Sequence, residues 1–107
     1  MKQKTMINLL LASSMLLVFS GIAQAGDAAA GKEKNSMCIG CHGIDGYRTA
    51  FPSAYNVPKI GGQYEEYLVK SLEGYRDGTR SHPSMTGLAK SLSDQDIKDL
   101  AAFYANN

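Results

Sequence analysis

Two cysteines set three positions apart and followed at once by a histidine, Cys38-Ile39-Gly40-Cys41-His42, constrain this chain more than any other feature of it. On a helix the two thiols lie about one turn apart, close enough to reach the two vinyl groups on one edge of a porphyrin. The next residue then turns its imidazole under the iron. C-x-x-C-H is the attachment pattern for c-type haem, with Cys38 and Cys41 as the covalent anchors and His42 as the first axial iron ligand. Two other uses of the pair compete. A disulfide between such close partners encloses almost no chain and constrains little of the unfolded state. A thioredoxin-like redox pair needs a βαβ setting, and strand signals here are weak.

The rest of the chain gives that motif a compartment and a reason. Residues 1–25 differ in character from residues 26–107: Lys2 and Lys4 make a basic opening, Ile7 to Phe19 is an apolar run, and Ala23-Gln24-Ala25 is a small-x-small ending. These are the three parts of a cleavable signal peptide, which places the mature N-terminus at Gly26. An uncleaved anchor is the lesser alternative, because the run is short against the ~20 apolar residues that span a bilayer. No cysteine stands near the cut to make a lipoprotein, and no stable membrane insertion is expected after cleavage. The periplasm is the expected destination, and it is an extracytoplasmic compartment of the kind haem attachment requires.

Residues 26–107 leave 82 positions for a single domain. Near ~70–80 residues one hydrophobic core seldom suffices, and a disulfide, metal or other staple is common. A covalently held macrocycle supplies the apolar body that such a chain lacks. Charge adds only an exclusion. The full chain carries 11 basic and 10 acidic residues, and without Lys2 and Lys4 nine basic residues stand against ten acidic ones. Nothing in that balance selects nucleic acid or anionic lipid.

Three stretches have helical patterning. The first runs from about Asp27, at the cap position, through the alanines to Met37 and leads into the cysteines. The second runs from about Gln63 to Arg76, with Tyr64, Tyr67, Leu68, Leu72 and Tyr75 at spacings of three and four along one face. Asp77-Gly78 reads as its stop. The third begins at Ser93, with Asp96 three places on in a near capping box, and reaches about Ala105. Gly43 to Gly62 and Gly78 to Leu92 read as loops. Three helices and long loops in so small a chain predict an all-α fold wrapped around a cofactor.

A sixth iron ligand has few candidates. Beyond residue 25 the chain has two methionines, Met37 and Met85, and two histidines, His42 and His82. Met37 abuts Cys38 on the attachment side. Met85 lies in Ser81-His82-Pro83-Ser84-Met85, 43 residues after His42, where a loop can cross the far haem face. A thioether there favours the ferrous state and raises the potential, as a carrier of single electrons requires. His82 is the competitor, since imidazole is also a common haem ligand, and a core methionine filling a gap is the bland alternative for Met85.

With Cys38 to His42 and the run from Tyr75 to Met85 in hand, the chain resembles class I c-type cytochromes, specifically their small monohaem bacterial periplasmic branch, over essentially the whole of residues 26–107. The resemblance implies the small cytochrome c fold around one covalent haem c, and a periplasmic electron carrier rather than an enzyme. It also implies that Gly31 of the first helix packs against Phe103 of the last, and that the Pro58 carbonyl accepts the second N–H of His42. With no tryptophan in the chain, the propionates need other donors. Arg76 and Arg80, nearest Met85, rank first, followed by Arg48 and the tyrosines. The implied partners are redox proteins such as a respiratory reductase, oxidase or dehydrogenase. The competing function is a haem-based sensor or catalyst whose distal position is open or filled by histidine.

Overall fold

In the computed structural model, residues 25–51 and 53–107 are described, and the expected signal segment before Ala25 lies outside them. Among the described residues five helices succeed one another, α1 (Ala28–Lys34), α2 (Ser36–His42), α3 (Glu65–Asp77), α4 (Met85–Lys90) and α5 (Asp94–Ala105). There is no strand among the described residues, only an isolated antiparallel bridge between Arg48 and Asn56. The fold is the all-α one expected. None of the described helices is long and apolar enough to cross a membrane.

Helix starts obey the chemistry of their first residues. The Asp27 carboxylate accepts the backbone N–H groups of Ala29 and Ala30 and starts α1. At α5 the Ser93 hydroxyl accepts the Asp96 N–H, and the Asp96 carboxylate accepts the Ser93 N–H at 2.9 Å, so two otherwise unpaired donors are satisfied reciprocally. The expected first helix differs in two ways. It breaks at Asn35, which caps both α1 and α2, and helix then continues past Met37 to His42. Asn and Ser bond readily to nearby backbone, which makes Asn35-Ser36 a natural place to change axis.

The packing centre is α5. Ile97, Leu100, Ala101 and Ala102 are buried, and Leu92 joins them in the core. Helix α1 lies against α5 so closely that a Cβ on Gly31 would stand 2.0 Å from the Asp99 carbonyl oxygen and 2.8 Å from the Phe103 Cβ. Only glycine permits that approach. The contact is braced by Asp99, whose buried carboxylate accepts from Asp27 N–H at 2.8 Å, Lys34 Nζ at 2.7 Å and Gln95 Nε2 at 2.8 Å. Lys34 also reaches Asp96 at 2.8 Å. A buried carboxylate with three donors is satisfied, so here it fastens two helices together.

Helix α3 packs on α5 and on α4, with Leu68 and Gly74 buried. It ends at Gly78, where φ is +93° and the N–H bonds the Gly74 carbonyl. The loop from 43 to 64 is tied to itself through Thr49 and Tyr55 and to the C-terminus through a Gly62 N–H to Tyr104 carbonyl bond of 2.8 Å. These ties make the loop a wall.

Candidate cofactor site

That wall, α2, α3, α4 and α5 enclose a cavity of about 430 Å³. The volume falls in the ~300–1,000 Å³ range of small-molecule and cofactor sites. Its lining is mostly apolar, with Leu68, Leu72, Leu92, Leu100 and Ala101 on the α3 and α5 side. The apolar stripe of α3 therefore serves the cavity more than the core. Tyr67 lines it while remaining 52 % exposed, and Tyr64, at the start of the stripe, is 83 % exposed.

Cys38, Cys41 and His42 face this cavity from α2. Both cysteines are half-buried free thiols, not joined to each other. Burial pushes the Cys38 thiol above its ordinary pKa. His42 ends α2, and its Nδ1 stands 2.6 Å from the Pro58 carbonyl oxygen. That oxygen can only accept, so Nδ1 carries the proton and Nε2 keeps its lone pair. The arrangement is that of a metal-ligating histidine with its orienting partner.

Met85 lines the same cavity, at the start of α4. The sequence reads this stretch as loop, and the structure makes it a short helix. Its six residues include Gly87 and are too few to show a period, and its first turn is organised by a side chain rather than by hydropathy. Met37 borders the cavity beside Cys38 and is 43 % exposed. His82 also borders it, with its ring 4.4 Å from that of Tyr55. Its Nδ1 accepts the N–H groups of Ser84 and Met85.

The two arginines ranked first separate. Arg80 lines the cavity, donates to the Ser71 hydroxyl at 2.7 Å and lies over the Tyr75 ring. Arg76 turns the other way, to the Leu92 carbonyl and the Asp94 carboxylate, where it ties α3 to the start of α5. The turn at Gly78 is the reason: Arg76 stands in the last turn of α3, whereas Arg80 lies beyond the helix, where the chain has changed direction and its side chain folds back beside Gly74. Arg48 sits at the isolated bridge, outside the cavity lining.

Sequence reasoning does not single out Tyr104 among the tyrosines. Its hydroxyl is buried beside Cys38 with no partner at hydrogen-bonding distance among the described residues, and burial pushes its pKa up to about 12. A tyrosine in an amphipathic helix gives no sign of such a position. The described residues contain no cluster of three or more His, Cys, Asp or Glu able to hold a bare metal ion. Two thiols, one imidazole and one thioether on an apolar cavity suit a macrocycle that brings its own four nitrogen ligands.

Comparison with known proteins agrees with this geometry. A family model described as Cytochrome c matches residues 28–106. Cytochrome c4 of Pseudomonas aeruginosa is 47 % identical over 102 residues, covering 94 % of this chain and 49 % of that one. Cytochrome c-554(548) of Halomonas halodenitrificans is 46 % identical over 85 residues, covering 77 % of this chain and 98 % of that one. Among solved structures, reduced recombinant cytochrome c4 from Pseudomonas stutzeri superposes with a TM-score of 0.62 at 41 % identity, over 76 % of this chain and 45 % of that one. The chain thus spans about half the length of the cytochrome c4 relatives it matches.

Proposed function

This chain belongs to the cytochrome c family, whose cofactor is covalent haem c, and we propose that it is a single-haem electron carrier of the periplasm with His42 and Met85 as axial iron ligands. Haem is joined through Cys38 and Cys41. The observation that carries this reading is the meeting of Cys38, Cys41, His42 and Met85 on one cavity, although His42 and Met85 are 43 residues apart in sequence.

When bound, haem c supplies a one-electron iron couple, and the protein's residues set its conditions. The Pro58 carbonyl fixes the orientation of His42 and makes its Nε2 a better donor. Met85 offers a thioether, which favours the ferrous state. Leu68, Leu72 and Leu100 keep water from the inner face, so charge on the iron is felt strongly. Arg80, supported by Ser71 and Tyr75, is the propionate partner. His42 and Met85 would both be held by the chain before haem is bound, so these residues would have little to rearrange between the two redox states.

His82 fits the distal-ligand role less well. Because Nδ1 accepts two backbone N–H groups, Nε2 carries the proton, so offering a lone pair to iron from either nitrogen would give up both bonds, and the ring is held against Tyr55. Redox proteins, such as a respiratory reductase, oxidase or dehydrogenase, are the partners. The near-balanced charge suits brief encounters. The amino-terminal segment, with its basic, apolar and small-x-small parts, supports export and cleavage before Gly26.

The test is the absorption spectrum of the purified holoprotein in both redox states. A carrier with this ligand pair shows c-type haem and the weak red charge-transfer band of thioether-bound ferric iron. Met85→Ala abolishes that band and lets carbon monoxide bind the reduced protein rapidly. Rapid carbon monoxide binding by the unaltered protein, at a rate Met85→Ala does not change, would favour a haem sensor or catalyst instead.

A further inference from the structure

We propose that His82 is a positioning residue for Met85, holding the sixth ligand by capping the helix that carries it. This rests on the reading of Met85 as an iron ligand. Helix α4 has Ser84 before its first residue, yet the Ser84 side chain caps nothing and its backbone (φ −92°, ψ −47°) is already helical. The capping bonds start two residues earlier. The His82 Nδ1 accepts from Ser84 N at 3.2 Å and Met85 N at 3.3 Å, and the His82 carbonyl accepts from Thr86 N at 3.1 Å.

A side-chain acceptor bonding the second and third N–H groups after its own, with the carbonyl taking the first intrahelical bond, is an N-cap. Pro83 then occupies the first helical position, where its missing N–H costs nothing and its fixed φ suits the turn. The bond is returned as well, because the Thr86 hydroxyl oxygen accepts the His82 N–H at 3.0 Å.

Histidine fills the role of Ser, Thr, Asp or Asn because its Nδ1 sits where the Asn Oδ1 does, one bond beyond Cγ. Its larger ring adds a second anchor. Packing against Tyr55, on the loop wall of the same cavity, fixes the direction in which Nδ1 points. Met85 is thus held at its own backbone N–H by a side chain that is itself pinned to the cavity wall. Releasing that bond frees the first turn of α4 and allows the thioether to leave iron more often.

The experiment uses four holoproteins: unaltered, His82→Ala, His82→Asn and Met85→Ala. Two rates are read, hydrogen exchange at the Ser84 and Met85 amides, and replacement of the native sixth ligand by added imidazole, seen as loss of the red band. His82→Ala is expected to raise both about fivefold, the factor a lost helix cap is worth, and His82→Asn to return both to within about twofold of the unaltered protein. Thr86→Val, which removes only the returned bond, is expected to shift both in the same direction by less. Unchanged rates in His82→Ala, or His82→Asn as fast as His82→Ala, would overturn the proposal. So would faster exchange with an unchanged imidazole rate, since the cap would then not govern the ligand. Failure of the Met85 reading shows elsewhere, as a red band that is absent from the unaltered protein or survives Met85→Ala.

Discussion

Gly31→Ala tests the closest approach in the fold. The added Cβ would meet the Asp99 carbonyl oxygen at 2.0 Å, its carbon at 2.6 Å and the Phe103 Cβ at 2.8 Å. Unbonded carbons rest about 3.5–4.0 Å apart, so α1 must lift from α5 by roughly 1 Å or more. The nearest obstacle is backbone, and no change of rotamer relieves it. Lifting α1 also strains the bonds from Asp27 and Lys34 to Asp99 on either side of the contact. Overpacking of this kind costs about 1–3 kcal/mol, and a backbone clash belongs at the upper end. Alanine returns about 0.5–1 kcal/mol through better helix propensity. The net loss is therefore about 2 kcal/mol, equivalent to a fall in Tm of roughly 8–16 °C for a domain of this size. Denaturant and thermal unfolding of the holoprotein, monitored by circular dichroism, measure it. Gly87→Ala is the control, because its Cβ meets nothing within 4 Å; it should be neutral or stabilising by up to about 1 kcal/mol. If Gly31→Ala were as stable as the unaltered protein, helix propensity would outweigh the contact and the reasoning would fail.

The ion pairs, the capping box and the buried hydroxyl each make a further prediction. Hydrogen bonding to Lys34 first, then to Ser93, holds Asp96 at about 2, and Lys34 together with the Asp27 N–H holds Asp99 below its usual value. Depressed carboxylates contribute fully above the unfolded pKa of about 4 and lose that contribution as pH falls through the folded values. Stability should therefore decline between about pH 4 and 2, less steeply in Lys34→Met; identical acid limbs in the two proteins would refute the assignment. Ser93→Ala removes half of the capping box and should cost about 1 kcal/mol in urea unfolding, with no change in the red band. Tyr104→Phe should leave stability within about 1 kcal/mol or raise it, since it deletes a buried hydroxyl that lacks a partner; a larger loss would mean that the hydroxyl bonds the haem group or its thioether.

The residues that touch the cofactor by covalent logic are legible in the chain. The spacing of Cys38, Cys41 and His42 has few other uses, and the capping signals at Asp27 and Ser93 act over three residues, so neither depends on the remainder of the molecule. The fold class is legible too, from helical periods and from the size of a domain unable to build its own core. The break at Asn35 and the helix at Met85–Lys90 are not. A helix of six residues leaves no periodic trace, and this one is begun by an imidazole, which helix-start rules do not include.

Sequence alone ranks Arg76 and Arg80 together, because both are charged and both stand near Met85. Tertiary structure separates them: the turn at Gly78 sends Arg80 to the cavity and leaves Arg76 on the far side of α3, where Asp94 and the Leu92 carbonyl take it. It likewise gives His82 its backbone partners and leaves the Tyr104 hydroxyl without one among the described residues. Local chemistry is written in spacing. Which face of a helix meets a cavity depends on the direction in which distant segments pack, and for this protein only the folded chain decides that.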